Sequence, residues 1–185
     1  MNGFAPPAMP ALDTGRLVSL STLMVLLVIT MFTELRSNRI PNWATVPGLL
    51  IGLVVGYLPG GISLGSSLGG FFIGFGFMFM FYMFGGMGGG DVKLMGAAGA
   101  LMGYPLILTA LVYTAIVGGL MAMLVLIWNR SFWRGMAHSM GMFFRLKRPA
   151  DEDPEEVRGK MGTVPYGIAI ICGCLMTVFL AGWSA

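Results

Sequence analysis

Six apolar stretches follow one another along the chain, separated by short polar or glycine-rich breaks. They cover residues 17–33, 43–58, 64–84, 92–103, 106–128 and 164–183. A helix that crosses the hydrocarbon layer of a bilayer needs about 20 apolar residues, so these lengths predict membrane-spanning helices. The fourth stretch is short, and Tyr104-Pro105 behind it predicts a turn between two helices.

The basic residues indicate whether residues 92–128 form one span or two. With two spans there and the N-terminus outside, the segments 34–42, 85–93 and 129–163 face the inside and hold ten of the eleven basic residues. A single span would move the seven basic residues of 129–163 to the outside. Because cytoplasmic loops are enriched in Lys and Arg, the pattern favours six spans with both termini outside.

The composition of the chain also indicates an integral membrane protein. It is 56% hydrophobic and only 10% charged, whereas a soluble domain carries roughly 25% charged residues. We therefore expect residues 1–185 to form a single polytopic domain, an all-α bundle of six transmembrane helices in contact with the lipid bilayer. The net charge of +3 reflects the inside placement of the basic residues, so no nucleic-acid partner is predicted.

The longest polar stretch, residues 129–163, has a helical pattern of its own. Apolar residues recur in it at spacings of four, four and three, and basic residues fall on the other side. The apolar positions are Phe132, Met136, Met140 and Phe143, and the basic ones are Arg134, His138 and Arg145. This pattern predicts a basic amphipathic helix at the cytoplasmic surface, followed by a solvated acidic loop over residues 151–156.

Glycines recur at four-residue spacing in three of the predicted helices. They are Gly48, Gly52 and Gly56; Gly70 and Gly74; Gly99 and Gly103. Small residues at this spacing let helices approach closely in lipid. The spacing favours tight packing within one bundle and leaves homo-oligomerisation through the same faces open.

Two acids stand at the predicted inner ends of spans. Glu34 ends the first apolar stretch, and Asp91 follows Gly88-Gly89-Gly90. A charge beside a span has a simple explanation, because charges are costly within the hydrocarbon. The glycines, however, leave room for a backbone to approach Asp91, and Ile40-Pro41-Asn42 predicts a rigid turn in which Asn42 caps the next helix.

Two carboxylates that share one water can hydrolyse a peptide bond. The ionised carboxylate takes a proton from the water, and the protonated one polarises the scissile carbonyl. This chemistry requires no cofactor. Cys172 and Cys174 lie inside an apolar stretch, and the chain has one histidine, so no metal site is predicted.

The motifs around the two acids resemble those of the prepilin peptidases, which are intramembrane aspartic proteases with a G-x-G-D motif. Gly88-Gly89-Gly90-Asp91 matches that motif, and the segment 35–42 is similar to the first catalytic region of the family. Val164-Pro165-Tyr166-Gly167-Ile168-Ala169 resembles the motif of the last helix. The short chain is similar to the small branch that serves Flp, or tight-adherence, pili, and it lacks the cysteine-rich cytoplasmic region of the longer members.

The resemblance implies a multi-pass protein of the bacterial inner membrane that removes the basic leader from prepilins at the cytoplasmic face. It also implies prepilins as substrates and pilus assembly proteins as further partners. The candidate catalytic residues are Asp91 and Glu34. The residues expected to bind substrate or shape the site are Gly88, Gly89, Gly90, Lys93, Arg36, Arg39, Pro41 and Asn42.

Glu34 departs from the family, which has aspartate at this position. The extra methylene moves the carboxylate by roughly 1.5 Å, and a misplacement of about 1 Å can cost on the order of 100-fold in rate. On the sequence alone, Glu34→Asp is therefore expected to retain or raise activity. The alternative is a catalytically silent relative that binds prepilins or the assembly machinery. A more distant one is a small transporter or channel, although few polar residues fall at mid-membrane.

Overall fold

The computed structural model describes residues 14–37, 40–58, 60–83, 87–128 and 166–180, and side chains are described for all of these except 125–128. Within these ranges the chain forms six α-helices. They are α1 Thr14–Ser37, α2 Asn42–Tyr57, α3 Leu64–Met83, α4 Gly89–Met102, α5 Leu106–Trp128 and α6 Tyr166–Leu180. Three of them, α1, α3 and residues 106–124 of α5, are long and apolar enough to cross a membrane, and α2 and α6 are shorter apolar helices.

The predicted division of residues 92–128 into two helices is confirmed. Between α4 and α5, Gly103 has a φ of 73°, which a residue with a side chain rarely adopts. The turn is tied to the start of α3, because the Tyr104 N–H donates to the Ser66 carbonyl at 3.0 Å and the Ser66 hydroxyl donates to the Tyr104 carbonyl at 2.6 Å. Membrane orientation and the location of the termini stay predictions, and the proposed amphipathic helix of 129–163 lies outside the described residues.

One local prediction about the start of α2 is wrong. Pro41, not Asn42, occupies the N-cap position, with an extended backbone and no capping hydrogen bond from its side chain. Proline suits the edge of a helix because it has no N–H to satisfy. Asn42 is already the first helical residue, so its amide is free to bind elsewhere.

Helix α4 lies at the centre of the bundle and contacts each of the other five described helices. Every residue from Leu94 to Met102 is buried. Most of these side chains are small, which lets the neighbouring helices come close. The residues that complete the core around α4 come mainly from α1, α5 and α6: Leu23, Leu26, Leu27, Ile107, Ala110, Ile170 and Cys174.

The glycines of α3 and α4 serve as contact points between the two helices. A Cβ at Gly70 would lie 2.9 Å from the carbonyl carbon of Gly99, and a Cβ at Gly99 would lie 2.7 Å from that of Gly70. Further along, a Cβ at Gly74 would lie 2.7 Å from the Met95 carbonyl oxygen. The expectation that the spaced glycines permit tight packing within one bundle is therefore confirmed for this pair of helices.

A single hydroxyl joins three helices beside these glycines. Ser67 of α3 is fully buried, and its Oγ lies 2.8 Å from the Ala100 carbonyl of α4 and 3.1 Å from the Gly52 carbonyl of α2. Its one proton is shared between the two carbonyls. In a membrane, where apolar contact gives helices little reason to associate, such hydrogen bonds help to specify which helices pair.

Gly70→Ala is expected to lower thermal stability, because its Cβ would overlap the backbone of α4. Overpacking of this kind costs about 1–3 kcal/mol. Gly76→Ala is the matched control in the same helix, since a Cβ there meets nothing within 4 Å. Melting of the two purified variants in one detergent compares them directly, and equal melting temperatures would contradict the close α3–α4 contact.

Candidate active site

Four helix ends meet at one end of the bundle. They are the last turn of α1 and the first turns of α2, α4 and α6. Two contacts fix α4 to the start of α2: the Lys93 ammonium donates to the Asn42 Oδ1 at 2.9 Å, and a Cβ at Gly90 would lie 2.9 Å from the Cβ of Ile40. Both acids singled out in the sequence lie at this end.

Glu34 lies in the last turn of α1 and is 5% exposed. Its Oε1 accepts a hydrogen bond of 3.0 Å from the N–H of Gly167, the second residue of α6. The first four N–H groups of a helix have no acceptor within it, so the carboxylate satisfies one of these donors. The other oxygen, Oε2, is buried and has no hydrogen-bond partner among the described residues.

Asp91 is the third residue of α4 and is also buried, with 9% exposure. Its Oδ2 accepts a hydrogen bond of 3.1 Å from the N–H of Gly88, the N-cap residue. This contact completes one half of a capping box, in which an acid three residues into a helix binds the N–H of the cap. The contact by itself also gives Asp91 a purely structural role in starting α4.

The two carboxylates share one environment. Asp91 lies within electrostatic range of Glu34 and of the Tyr166 hydroxyl at the start of α6. Each acid is bound by a backbone N–H at the N-terminus of a helix, α6 for Glu34 and α4 for Asp91, where the helix dipole stabilises negative charge. The bundle thus brings together two acids that are far apart in the sequence.

The three glycines before Asp91 have different surroundings. Gly90 is held by its close approach to Ile40, and a Cβ at Gly88 would lie 3.1 Å from the Asp91 Oδ2. Gly89 is exposed, and a Cβ there would make only an ordinary contact, 3.6 Å from the Tyr82 ring. A side chain would therefore be crowded at Gly88 and at Gly90, whereas Gly89 has room for one.

The remaining predicted residues lie at the rim or outside the described ranges. Lys93 and Asn42 are exposed and bind each other, which joins α2 to α4. Pro41 is half-buried at the start of α2, and Arg36 is exposed in the last turn of α1. Arg39 lies outside the described residues.

Two residues at the start of α6 are missing from the predicted site. Gly167 supplies the N–H that binds Glu34, and Tyr166 places its ring against Gly118 of α5 while its hydroxyl lies in the range of Asp91. In the sequence, segment 164–169 resembles the motif of the last helix, and no site residue is predicted within it. Because the donor is a backbone N–H, no side-chain pattern points to it, and only packing of α6 against α1 reveals it.

The geometry permits acid–base chemistry on a water molecule. Each carboxylate has one oxygen bound to a backbone N–H, and Glu34 has a second oxygen, Oε2, without a partner in the described part of the chain. A buried polar atom of this kind costs about 1–3 kcal/mol and calls for an explanation. Across the described ranges, no group of three or more His, Cys, Asp or Glu residues could hold a metal ion.

Comparison with known proteins gives one match. Residues 21–123 match the model of the type IV leader peptidase family. This range is more than half of the chain and contains both Glu34 and Asp91, whereas α6 lies beyond it. Neither the curated proteins nor the solved structures gave a match.

Proposed function

The chain belongs to the type IV leader peptidase family, and from this premise we propose that it is a membrane aspartic endopeptidase that cleaves the basic leader from prepilins. The resemblance to prepilin peptidases inferred from the sequence is thereby confirmed. The finer assignments, which are cleavage at the cytoplasmic face of the inner membrane and service to Flp-type pili, belong to the proposal.

One observation carries the proposal. Glu34 and Asp91 come from α1 and α4, yet both are buried at the same end of the bundle, and each binds a backbone N–H at the start of a helix. One oxygen of each carboxylate has a hydrogen-bond partner, since Asp91 Oδ2 binds the Gly88 N–H and Glu34 Oε1 binds the Gly167 N–H. The buried Oε2 of Glu34 is not explained by any such contact in the described residues, and a catalytic water is a suitable partner for it.

The reaction needs the two carboxylates to hold one proton between them. Like charges in close proximity disfavour double ionisation, so the pair titrates as a unit. The ionised member takes a proton from water, whose oxygen attacks the scissile carbonyl while the protonated member donates a hydrogen bond to the carbonyl oxygen. The tetrahedral intermediate then breaks its C–N bond, and the amine leaves with the proton that the first carboxylate took from the water. Water adds directly, so no covalent intermediate with the protein forms.

The location of the acids suits a prepilin. They lie near the ends of apolar helices rather than at their middle, close to the predicted cytoplasmic face. A substrate with a short basic leader followed by an apolar helix would place its junction at this level. The exposed Gly89 leaves space beside Asp91 for an extended segment of substrate.

The silent-relative alternative remains a second candidate because Glu34 replaces the aspartate of the family. A chain of this kind would bind prepilins, or the pilus assembly machinery, without cutting them. The structure offers a reason for a glutamate to be accommodated, namely its hydrogen bond to Gly167. Activity itself separates the two candidates.

The test uses the full chain reconstituted in liposomes together with a cognate prepilin. We expect conversion of the prepilin to a shorter form, with the cut between the basic leader and the apolar helix, as read by gel and mass spectrometry. The matched control substrate has the basic leader residues replaced by Gln. Binding of the intact prepilin without conversion at any enzyme concentration would favour the silent relative instead.

A further inference from the structure

We propose that Gly167 is a positioning residue for Glu34 and that residues 34 and 167 set the geometry of the site as a pair. The inference rests on the proposed peptidase function. It assigns a role to the start of α6, which lies outside the matched range 21–123. Gly167 acts on Glu34 in two ways: its N–H binds the carboxylate, and its lack of a side chain leaves room for it.

The first contribution is the hydrogen bond. The Gly167 N–H donates to Oε1 at 3.0 Å, so this oxygen has a fixed direction. With Oε1 held, rotation of the carboxylate is restricted and Oε2 takes a defined position. Oε2 is the buried oxygen without a partner among the described residues, and it is therefore the one available to the catalytic water.

The second contribution is space. A Cβ at Gly167 would lie 2.7 Å from the Glu34 Cδ and 2.8 Å from its Oε1, and it would overlap Oε2 as well. Contacts this short do not occur, so alanine at 167 would displace the carboxylate or separate α6 from α1. Burial of Glu34 leaves the carboxylate little space to move elsewhere.

The same geometry explains why this chain uses glutamate. An aspartate at position 34 is shorter by one methylene, roughly 1.5 Å in reach, and would fall short of the Gly167 N–H. The structure therefore reverses the expectation from the sequence. With glycine at 167, Glu34→Asp should lower activity, whereas with alanine at 167 the shorter acid should be the better one.

A purely structural role for Gly167 would have a different signature. Glycine also permits close packing between α5 and α6 at Gly173, where a Cβ would lie 2.6 Å from the Thr114 backbone nitrogen. Gly173→Ala is thus a matched control that disturbs packing of the same helix without meeting Glu34, since the atoms nearest to a Cβ there belong to Thr114. Gly119→Ala is the neutral control, because a Cβ there meets nothing within 4 Å.

The experiment measures kcat and KM for prepilin cleavage in four proteins: wild type, Gly167→Ala, Glu34→Asp and the double variant. The controls measured alongside are Gly119→Ala, Gly173→Ala and Gly173→Ala combined with Glu34→Asp. Gly167→Ala should lower kcat on the order of 100-fold with little change in KM, because the acid is misplaced while the substrate still binds. The double variant should recover at least about tenfold over Gly167→Ala, since residues in contact do not act additively. Glu34→Asp should give no recovery in Gly173→Ala.

Two results would overturn the inference. One is Gly167→Ala cleaving at the wild-type rate, and the other is a double variant no more active than Gly167→Ala. Either would leave the peptidase function standing. If the wild type itself is inert, that function fails, and melting temperatures of the same four proteins decide whether the pair exists. Adding Glu34→Asp should then restore melting temperature lost in Gly167→Ala. If Gly167→Ala lowers the melting temperature equally with Glu and with Asp at position 34, the contact is rejected.

Discussion

Replacing Asp91 by asparagine is expected to lower prepilin cleavage by about 10²–10⁴-fold, the usual contribution of a general acid or base. The substitution removes the proton-carrying group and keeps the shape of the side chain. Asparagine retains an oxygen that can accept the hydrogen bond from the Gly88 N–H, which Asp91 accepts at 3.1 Å. Helix α4 should therefore still begin at Gly89, and the loss should appear in kcat rather than in the amount of folded protein.

The measurement is conversion of a co-expressed prepilin to its shorter form on a gel, with protein amount and melting temperature measured alongside. Asp153→Asn, in the acidic run of residues 151–156, is the matched control for the change of charge. It should cleave like the wild type. Cleavage by Asp91→Asn at the same rate as the wild type would reject the aspartic mechanism.

Glu34→Gln is expected to lower the rate of cleavage to a similar degree, about 10²–10⁴-fold. Glutamine has the length of glutamate, so its amide oxygen can accept the Gly167 N–H that now binds Oε1 at 3.0 Å. Its NH₂ group would take the position of Oε2 and cannot accept a proton from water. Unlike Glu34→Asp, which changes the reach, this variant changes only the chemistry.

Comparison of Glu34→Gln with Glu34→Asp in one assay separates charge from geometry. An active Glu34→Gln would mean that residue 34 holds the helices together and does not carry protons. A wild type without activity, together with a Glu34→Asp variant that cleaves, would identify a silenced peptidase, and the binding alternative would then take over. Loss of the folded protein in Glu34→Gln would assign the residue to stability instead.

The sequence predicts the helices of the described ranges well, because the length of an apolar stretch and the turn residues beside it are local properties. The two helices within 92–128 follow from Tyr104-Pro105 together with the distribution of basic residues, and the structure has a turn there. The close packing at the spaced glycines likewise follows from their four-residue spacing. The partner of each glycine, however, depends on how the helices are arranged around α4.

The site is predictable where it depends on side-chain chemistry and unpredictable where it depends on the backbone. Glu34 and Asp91 are recognisable as acids at the ends of apolar stretches. The Gly167 N–H cannot be recognised in this way, because every residue except proline has a backbone N–H. Only the fold determines which of them binds Glu34. At Asn42 a side-chain pattern misleads instead. Asparagine is a favoured N-cap residue, but Pro41 occupies the N-cap position of α2 and Asn42 is the first helical residue.

The central helix α4 has a consequence for how the protein folds. It has 14 residues, of which Gly89, Gly90, Gly96 and Gly99 are glycines, and it carries Asp91 and Lys93. Each glycine costs about 1 kcal/mol of helix stability relative to alanine, and the helix is shorter than the roughly 20 residues that insert as an independent span. Helix α4 therefore depends on its neighbours, above all on the glycine face of α3, to stay helical.

The packing of the helices then controls when the site is complete. Glu34 receives its hydrogen bond only when α6 docks against α1, and the donor, Gly167, lies 133 residues further along the chain. A chain in which α6 has not yet docked carries both carboxylates, but Glu34 lacks its bond to the Gly167 N–H. If the chain is the peptidase proposed here, docking of α6 against α1 is the step that completes its active site.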